Sequence, residues 1–209
     1  MRNSKFALLM IFCILPTIFV SSPARAGVFN IPQFVDYKNW AVGLEPVFTL
    51  TSPKSVSTEN SGAGFNLKFT YGITPISNLQ LGIGDGSGTK GFRLGGTYSW
   101  DIIPNLEHQI GAGIALEAYT YKLKSGLGET EITVYPYAHN LYHAEALDYD
   151  PYIALPVGEA FYNGTYRTIL QMVLGTFFKT SPYFGFNAEL GMNLKDTDTY
   201  ISLGGTYRN

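Results

Sequence analysis

The chain has 209 residues, enough for one domain, and a formal net charge of −2. Only 14% of its residues are charged, while 15% are aromatic and 23 are glycine; soluble domains carry roughly 25% charged residues. No uninterrupted apolar run reaches the ~20 residues of a helical span, so the composition argues against a helical membrane protein and for a barrel that crosses the bilayer as strands.

The N-terminus reads as a targeting segment. Arg2 and Lys5 form a basic n-region, Phe6 to Val20 an apolar h-region broken by Pro16, and Ala24-Arg25-Ala26 a small-x-small cleavage site. Residues 1–26 are thus a secretory signal peptide, with Gly27 as the mature start. The apolar run is too short for a membrane anchor. Cys13 sits inside that run rather than closing it, which argues against lipidation. The mature chain then has no cysteine, hence no disulfide and no thiolate chemistry. Without Arg2, Lys5 and Arg25, eleven basic residues face sixteen acidic ones, a balance that argues against nucleic acid as a partner.

Residues 27–39 form a periplasmic lead-in, and the barrel occupies 40–209. The first strand, Trp40 to Thr51, sets Trp40, Val42, Leu44, Phe48 and Leu50 against Ala41, Gly43, Glu45 and Thr49. A period of two with one apolar face marks a strand. Ser52 to Ser61 is a polar loop. Gly64 to Ile73 sets Phe65, Leu67, Phe69 and Tyr71 against Asn66, Lys68 and Thr70, and Thr74-Pro75-Ile76-Ser77 turns the chain. Asn78 to Gly84 follows, then the turn Asp85-Gly86-Ser87-Gly88. Gly91 to Asp101 sets Phe92, Leu94, Tyr98 and Trp100 against Arg93, Gly95, Thr97 and Ser99. Leu106 to Tyr121 sets Ile110, Ile114 and Leu116 against Glu107, Gly111, Gly113 and Glu117.

Glu131 to Ala138 and Tyr149 to Val157 also alternate, but Pro136, Pro151 and Pro156 speak against regular central strands. Tyr162-Asn163-Gly164-Thr165 is a hairpin turn. Tyr166 to Phe178 sets Leu170, Met172, Leu174 and Phe178 against Arg167, Gln171 and Gly175. The terminal hairpin, Tyr183 to Tyr207, sets Phe184, Phe186, Ala188, Leu190 and Met192 against Gly185, Asn187, Glu189 and Gly191 in its first arm. The expected fold is an all-β, antiparallel, up-and-down transmembrane barrel of ten strands. It has eight strands if residues 122–163 are one long loop, though a structureless loop of that length is uncommon.

The strand phases rest on bulky apolar residues alone, so charges test them independently. Glu45, Lys68, Arg93, Glu107, Glu117, Glu131, Arg167 and Glu189 all share the small, polar face. That face is expected to line the lumen, because a lysine or arginine in mid-bilayer costs about 2–4 kcal/mol. In a soluble barrel with the bulky face inside, Phe, Leu and Tyr would overfill the lumen. Tyr71, Tyr98, Trp100, Phe178 and Tyr207 stand near strand ends beside short turns, the place of an aromatic girdle.

With Ala24-Arg25-Ala26, these alternating strands, short turns and an aromatic near its end, the chain resembles the small outer-membrane β-barrel proteins of Gram-negative bacteria. The resemblance covers nearly all of the mature chain and rests on generic motifs. It implies residence in the outer membrane, with lipid and the barrel-insertion machinery as partners. In that class the last strand usually ends on an aromatic that the machinery reads; here Arg208 and Asn209 follow Tyr207.

Little in the sequence points to catalysis. A barrel enzyme needs a histidine beside a nucleophile or acid. The ten-strand topology places His108 and the pair His139 and His143 on the periplasmic side; with eight strands, that pair joins an outer loop. His139 and His143 lack a helix and a third ligand for a metal. Gly82-Ile83-Gly84-Asp85-Gly86 is followed by no helix that would make a phosphate cradle, and Asp196-Thr197-Asp198 reads as an Asx-rich turn rather than a calcium loop. No enzyme activity, cofactor or metal is expected. The expected function is a narrow pore or structural barrel with a lumen lined by Glu45, Lys68, Arg93, Glu117, Arg167 and Glu189. A surface receptor or adhesin, and a lipid-modifying enzyme, are the alternatives. Solute and oligomeric state are not legible.

Overall fold

The computed structural model describes residues 35–52, 61–86, 90–103, 105, 110–123, 126, 128–144 and 147–209. The signal peptide, most of the lead-in, Glu107 and His108 lie outside them. The strands are β1 Trp40–Thr51, β2 Gly62–Thr74, β3 Ser77–Asp85, β4 Lys90–Ile103, β5 Gly111–Leu123, β6 Gly128–His139, β7 Tyr142–Ala144, β8 Leu147–Ala154, β9 Val157–Tyr162, β10 Thr165–Lys179, β11 Phe184–Lys195 and β12 Thr199–Arg208.

All pairings are antiparallel. The wall runs β1 to β6 in order, continues through β8 and β9, then through β10 to β12, and closes where β12 pairs with β1. Asn209 N donates to Trp40 O at 3.0 Å and helps seal that seam. β8 and β9 form one stave, since both pair with β6 on one side and β10 on the other. The barrel therefore has ten staves. β7 is a short addition that pairs only with the start of β8.

The doubtful middle region is thus part of the wall, and its prolines are accommodated locally. Pro136 and Pro151 sit within strands, while Leu155 and Pro156 break the stave between β8 and β9. Proline has no N–H to donate, yet its carbonyl still accepts. Leu155 N donates to Pro136 O and Gln171 N to Pro156 O, both at 3.0 Å, carrying the ladder past the break. The stave is longer than the single run Tyr149 to Val157 expected from alternation. Conversely, β5 starts at Gly111, not Leu106, because Ile110 already lies outside the strand. The turn after β9 is as expected: Asn163 and Gly164 have φ of 45° and 74°, the positive values that a type I′ hairpin demands.

The two faces separate sharply. Leu94 is 55% exposed on the outer surface, whereas Arg93 beside it is 1% exposed. Leu44, Leu67, Leu81, Phe92, Leu116, Ile153, Phe186 and Leu203 extend the exposed apolar belt around the wall. At the end carrying the barrel's termini, the start of β1 and the end of β12, Tyr207 lies against Trp40 and Phe184, with ring centroids at 5.9 and 5.2 Å, and Tyr98 meets Trp100 edge-on. Val35 closes onto the same end, its N–H donating to Asn78 Oδ1 at 3.2 Å.

Candidate functional site

The site is the barrel interior, and glycine and tyrosine shape it together. On β5, β6, β8 and β12 the inward positions include Tyr119, Tyr137, Tyr152 and Tyr200. Each is paired in register with a glycine on a neighbouring strand: Gly95, Gly113, Gly175 and Gly191 respectively. Each ring occupies the space where that glycine's Cβ would stand, and Tyr119 also covers Gly82. An aromatic laid over a cross-strand glycine restores the packing that the glycine lacks.

These rings reach across the bore. Val47 of β1, Ala115 of β5, Tyr135 and Tyr137 of β6, Ala154 of β8, Val173 of β10 and Tyr200 of β12 belong to one buried cluster, with Tyr152 packed against it. In a ten-stave ring β1 and β12 stand opposite β5 and β6. The two walls therefore meet at this level, and side chains narrow the bore.

The charged residues sit among and around the rings. Glu45, Lys68, Arg93, Glu117, Glu131 and Glu189 are buried, and Arg167 is half-buried. Lys68 Nζ stands 2.6 Å from Glu45 Oε2. The same carboxylate accepts from Asn66, Asn187 and Ser202, which draws β1, β2, β11 and β12 together. Glu189 accepts from the hydroxyls of Tyr152 and Tyr200, and Glu117 accepts from Thr97 Oγ1 at 3.1 Å. The Arg93 guanidinium lies 5.0 Å from the centre of the Tyr119 ring, within reach of its negative face.

Both ends of the bore are laced as well. At the end away from the termini, Arg167 contacts both oxygens of Glu129 at 3.1 Å, approaches Glu131 at 4.0 Å and donates to Asp196 O at 2.9 Å. The Asp196-Thr197-Asp198 turn folds inward there, with Gln171 Nε2 donating to Asp198 O at 2.6 Å. At the termini end, His139 Nδ1 lies 3.0 Å from Asp150 and Nε2 lies 3.2 Å from Asp101, tying β4, β6 and β8. His143 pairs with Asp148 at the exposed rim at 3.0 Å.

Alternation within strands did not point to Glu129, Asp101, Asp150 or His139 as interior partners. A signal was present for three of them: Asp101 lies two residues after Ser99, Glu129 two before Glu131, and Asp150 two before Tyr152. Taking the earlier strand as starting at Glu131 left Glu129 outside it, and Asp150, though within the run Tyr149 to Val157, was given no face. The His139 contacts join three strands and have no local signature.

No protein-family model matches the sequence, and no curated protein matches it. Among solved structures, the chain is similar to an outer membrane channel from Pseudomonas putida F1, with a TM-score of 0.51 and 8% identity over 84% of this chain and 97% of that one. It also aligns with Ail, the attachment invasion locus protein of Yersinia pestis, at a TM-score of 0.35 and 15% identity over 83% and 99%. A bacterial polysaccharide outer membrane secretin aligns at a TM-score of 0.39 and 8% identity, over 84% of this chain and 100% of that chain. The likeness is one of architecture: the chain has the fold of the outer-membrane β-barrels.

Proposed function

We propose that the protein resides in the bacterial outer membrane, exported by its N-terminal segment, as a barrel whose charged lumen is a narrow path restricted by side chains. The observation that carries this reading is the two-faced wall. Its outer surface bears exposed Leu, Phe and Ile, while its inner surface buries Glu45, Lys68, Arg93, Glu117 and Glu189. Charges on the lipid side would cost energy at every level of the bilayer core; inside, each carboxylate finds hydroxyl, amide or cationic partners. Filling by Tyr119, Tyr135, Tyr137, Tyr152 and Tyr200 narrows the path, and the Arg167 contacts with Glu129 and Glu131 restrict one mouth. The reading assigns no catalysis to the lumen. Both ring nitrogens of His139 are engaged by carboxylates, so neither is positioned to act on a substrate.

The test is single-channel recording in planar bilayers. The parent protein is expected to conduct weakly. Arg167→Ala removes the cation from the Glu129 and Glu131 carboxylates, so conductance and cation preference should both rise. Arg93→Ala should act in the same direction. If neither the parent nor the variants conduct above background, the pore reading fails and a structural barrel is the better account.

A further inference from the structure

One sector of the outer wall departs from the apolar belt. Away from strand ends, the described outward positions of β1 to β4, β11 and β12 carry apolar or aromatic side chains or glycine. Near the end opposite the termini, β5, β6, β9 and β10 instead turn Thr120, Lys122, Thr130, Glu159 and Thr168 outward. Register joins them into one patch: Thr120 pairs with Thr130, and Glu159 pairs with Ile132 on one side and Thr168 on the other. Glu159 Oε1 accepts from Thr168 Oγ1 at 3.0 Å, while Oε2 is covered and meets no donor among the described residues. Lys122 is exposed on β5, and β6 separates it from the stave that carries Glu159. Among the described residues no ion pair engages either charge.

We propose that two copies of this chain pair side by side in the membrane through this face, with Lys122 of each copy meeting Glu159 of the other. The inference rests on the reading that the outer wall faces lipid. Acyl chains serve a half-satisfied carboxylate and an unpaired ammonium poorly, whereas the two serve each other. Their placement suits a symmetric pair. A two-fold axis along the membrane normal, in front of β6, sets the left side of one face against the right side of its partner. Lys122 and Glu159 flank β6 on those two sides, so both contacts form at once, as an isologous interface requires. Toward the termini end the same staves are slim: Pro136, Ala138 and Pro151 point outward, and a groove of about 300 Å³, lined by Ala138, Pro151 and Ile153 with Ile110 and Tyr142, indents the wall there, which lets a second barrel approach.

The experiment compares the full-length mature protein with Lys122→Glu, Glu159→Lys and the double variant, in detergent micelles and in neutral phosphatidylcholine vesicles. Dimer is read by crosslinking and by native mass spectrometry, and folding by far-UV circular dichroism. The parent is expected to dimerise. Each single reversal breaks both contacts of the symmetric pair and should raise the concentration needed for half-dimerisation about a hundredfold, about tenfold for each close charge pair, and the double variant should restore it. A parent that is folded and membrane-inserted but monomeric at all concentrations overturns the proposal while leaving the membrane reading intact. So does a double variant no better than the single ones, or a Lys122→Glu effect seen only as loss of co-purified anionic lipid. Failure to recover the parent in membranes would instead overturn the underlying reading.

Discussion

Two sectors of the lumen wall, β1 to β4 and β5 to β8, are built differently. Strands β1 to β4 turn glycines, Asn66, Lys68, Gln80, Arg93 and Thr97 inward, and among the described residues no aromatic ring. Strands β5 to β8 turn in Tyr119, Tyr121, Tyr135, Tyr137 and Tyr152. The low wall is low for a reason. Gly82 and Gly95 leave the space into which Tyr119 leans, and Gly84 leaves room for Arg93, whose Nε would lie 3.2 Å from an added Cβ. The tall wall supplies hydroxyls and rings, and the low wall supplies the cations Lys68 and Arg93 and room. Between these two sectors the bore is narrowed mainly from the tyrosine side, so Gly82 and Gly95 are as much part of the narrowing as Tyr119, while Tyr200 of β12 adds a ring from across the bore.

The largest effect should come from removing a cation of the low wall. Lys68→Ala leaves Glu45 buried without its ammonium, and breaking such a pair costs about 3–5 kcal/mol. Urea unfolding of the protein in lipid vesicles should show a loss of that size. Lys68→Met together with Glu45→Gln should recover most of it, because it leaves no charge unpaired and keeps an acceptor for Asn187 and Ser202.

A filled glycine should come next. Gly95→Val places a side chain against the Ala118 carbonyl and in the Tyr119 ring, and overpacking of this kind typically costs about 1–3 kcal/mol. Adding Tyr119→Ala should then be less damaging in the Gly95→Val background than in the parent. A double-mutant cycle that shows no coupling would break the link between the two walls. Tyr152→Phe should cost less, since Glu189 keeps the Tyr200 hydroxyl; hydrogen bonds to charged groups contribute about 1.5–3 kcal/mol, and the expected loss lies at or below the low end. The smallest effect belongs to Gly128→Ala. No atom lies within 4 Å of the added Cβ, so unfolding should move by no more than about 0.5 kcal/mol. A large loss there would show that glycine matters along this chain for backbone reasons, not for the rings it admits.

Much of this was legible in the residues. Alternation within a single strand is a local property. Ala41, Glu45, Lys68, Arg93, Glu117 and Glu189 could each be given a face from neighbours two residues away, and the structure has all six side chains buried. Asn163-Gly164 announced its turn because only residues tolerant of positive φ form it. Glu159 was missed for the opposite reason. It follows the Pro156 break, where the phase had been abandoned, so its outward carboxylate went unread.

What only the tertiary structure decided is everything that depends on which strand stands beside or across from which. Prolines at 136, 151 and 156 left the strand count open between eight and ten. Pairing settled it, because β6 and β10 supply partners along both β8 and β9, while the Leu155 and Gln171 amides donate to the Pro136 and Pro156 carbonyls. The identity of each charge's partner was likewise beyond the sequence. Glu45 and Asn187 are far apart in the chain, and nothing local says that β11 and β1 flank β12 closely enough for them to bond. The filling of the bore is of the same kind. A period of two sends Val47, Tyr135 and Tyr200 inward, but only the closure of β12 onto β1 brings opposite walls near enough for them to meet, since the width of a barrel is a property of the ring and of no single strand.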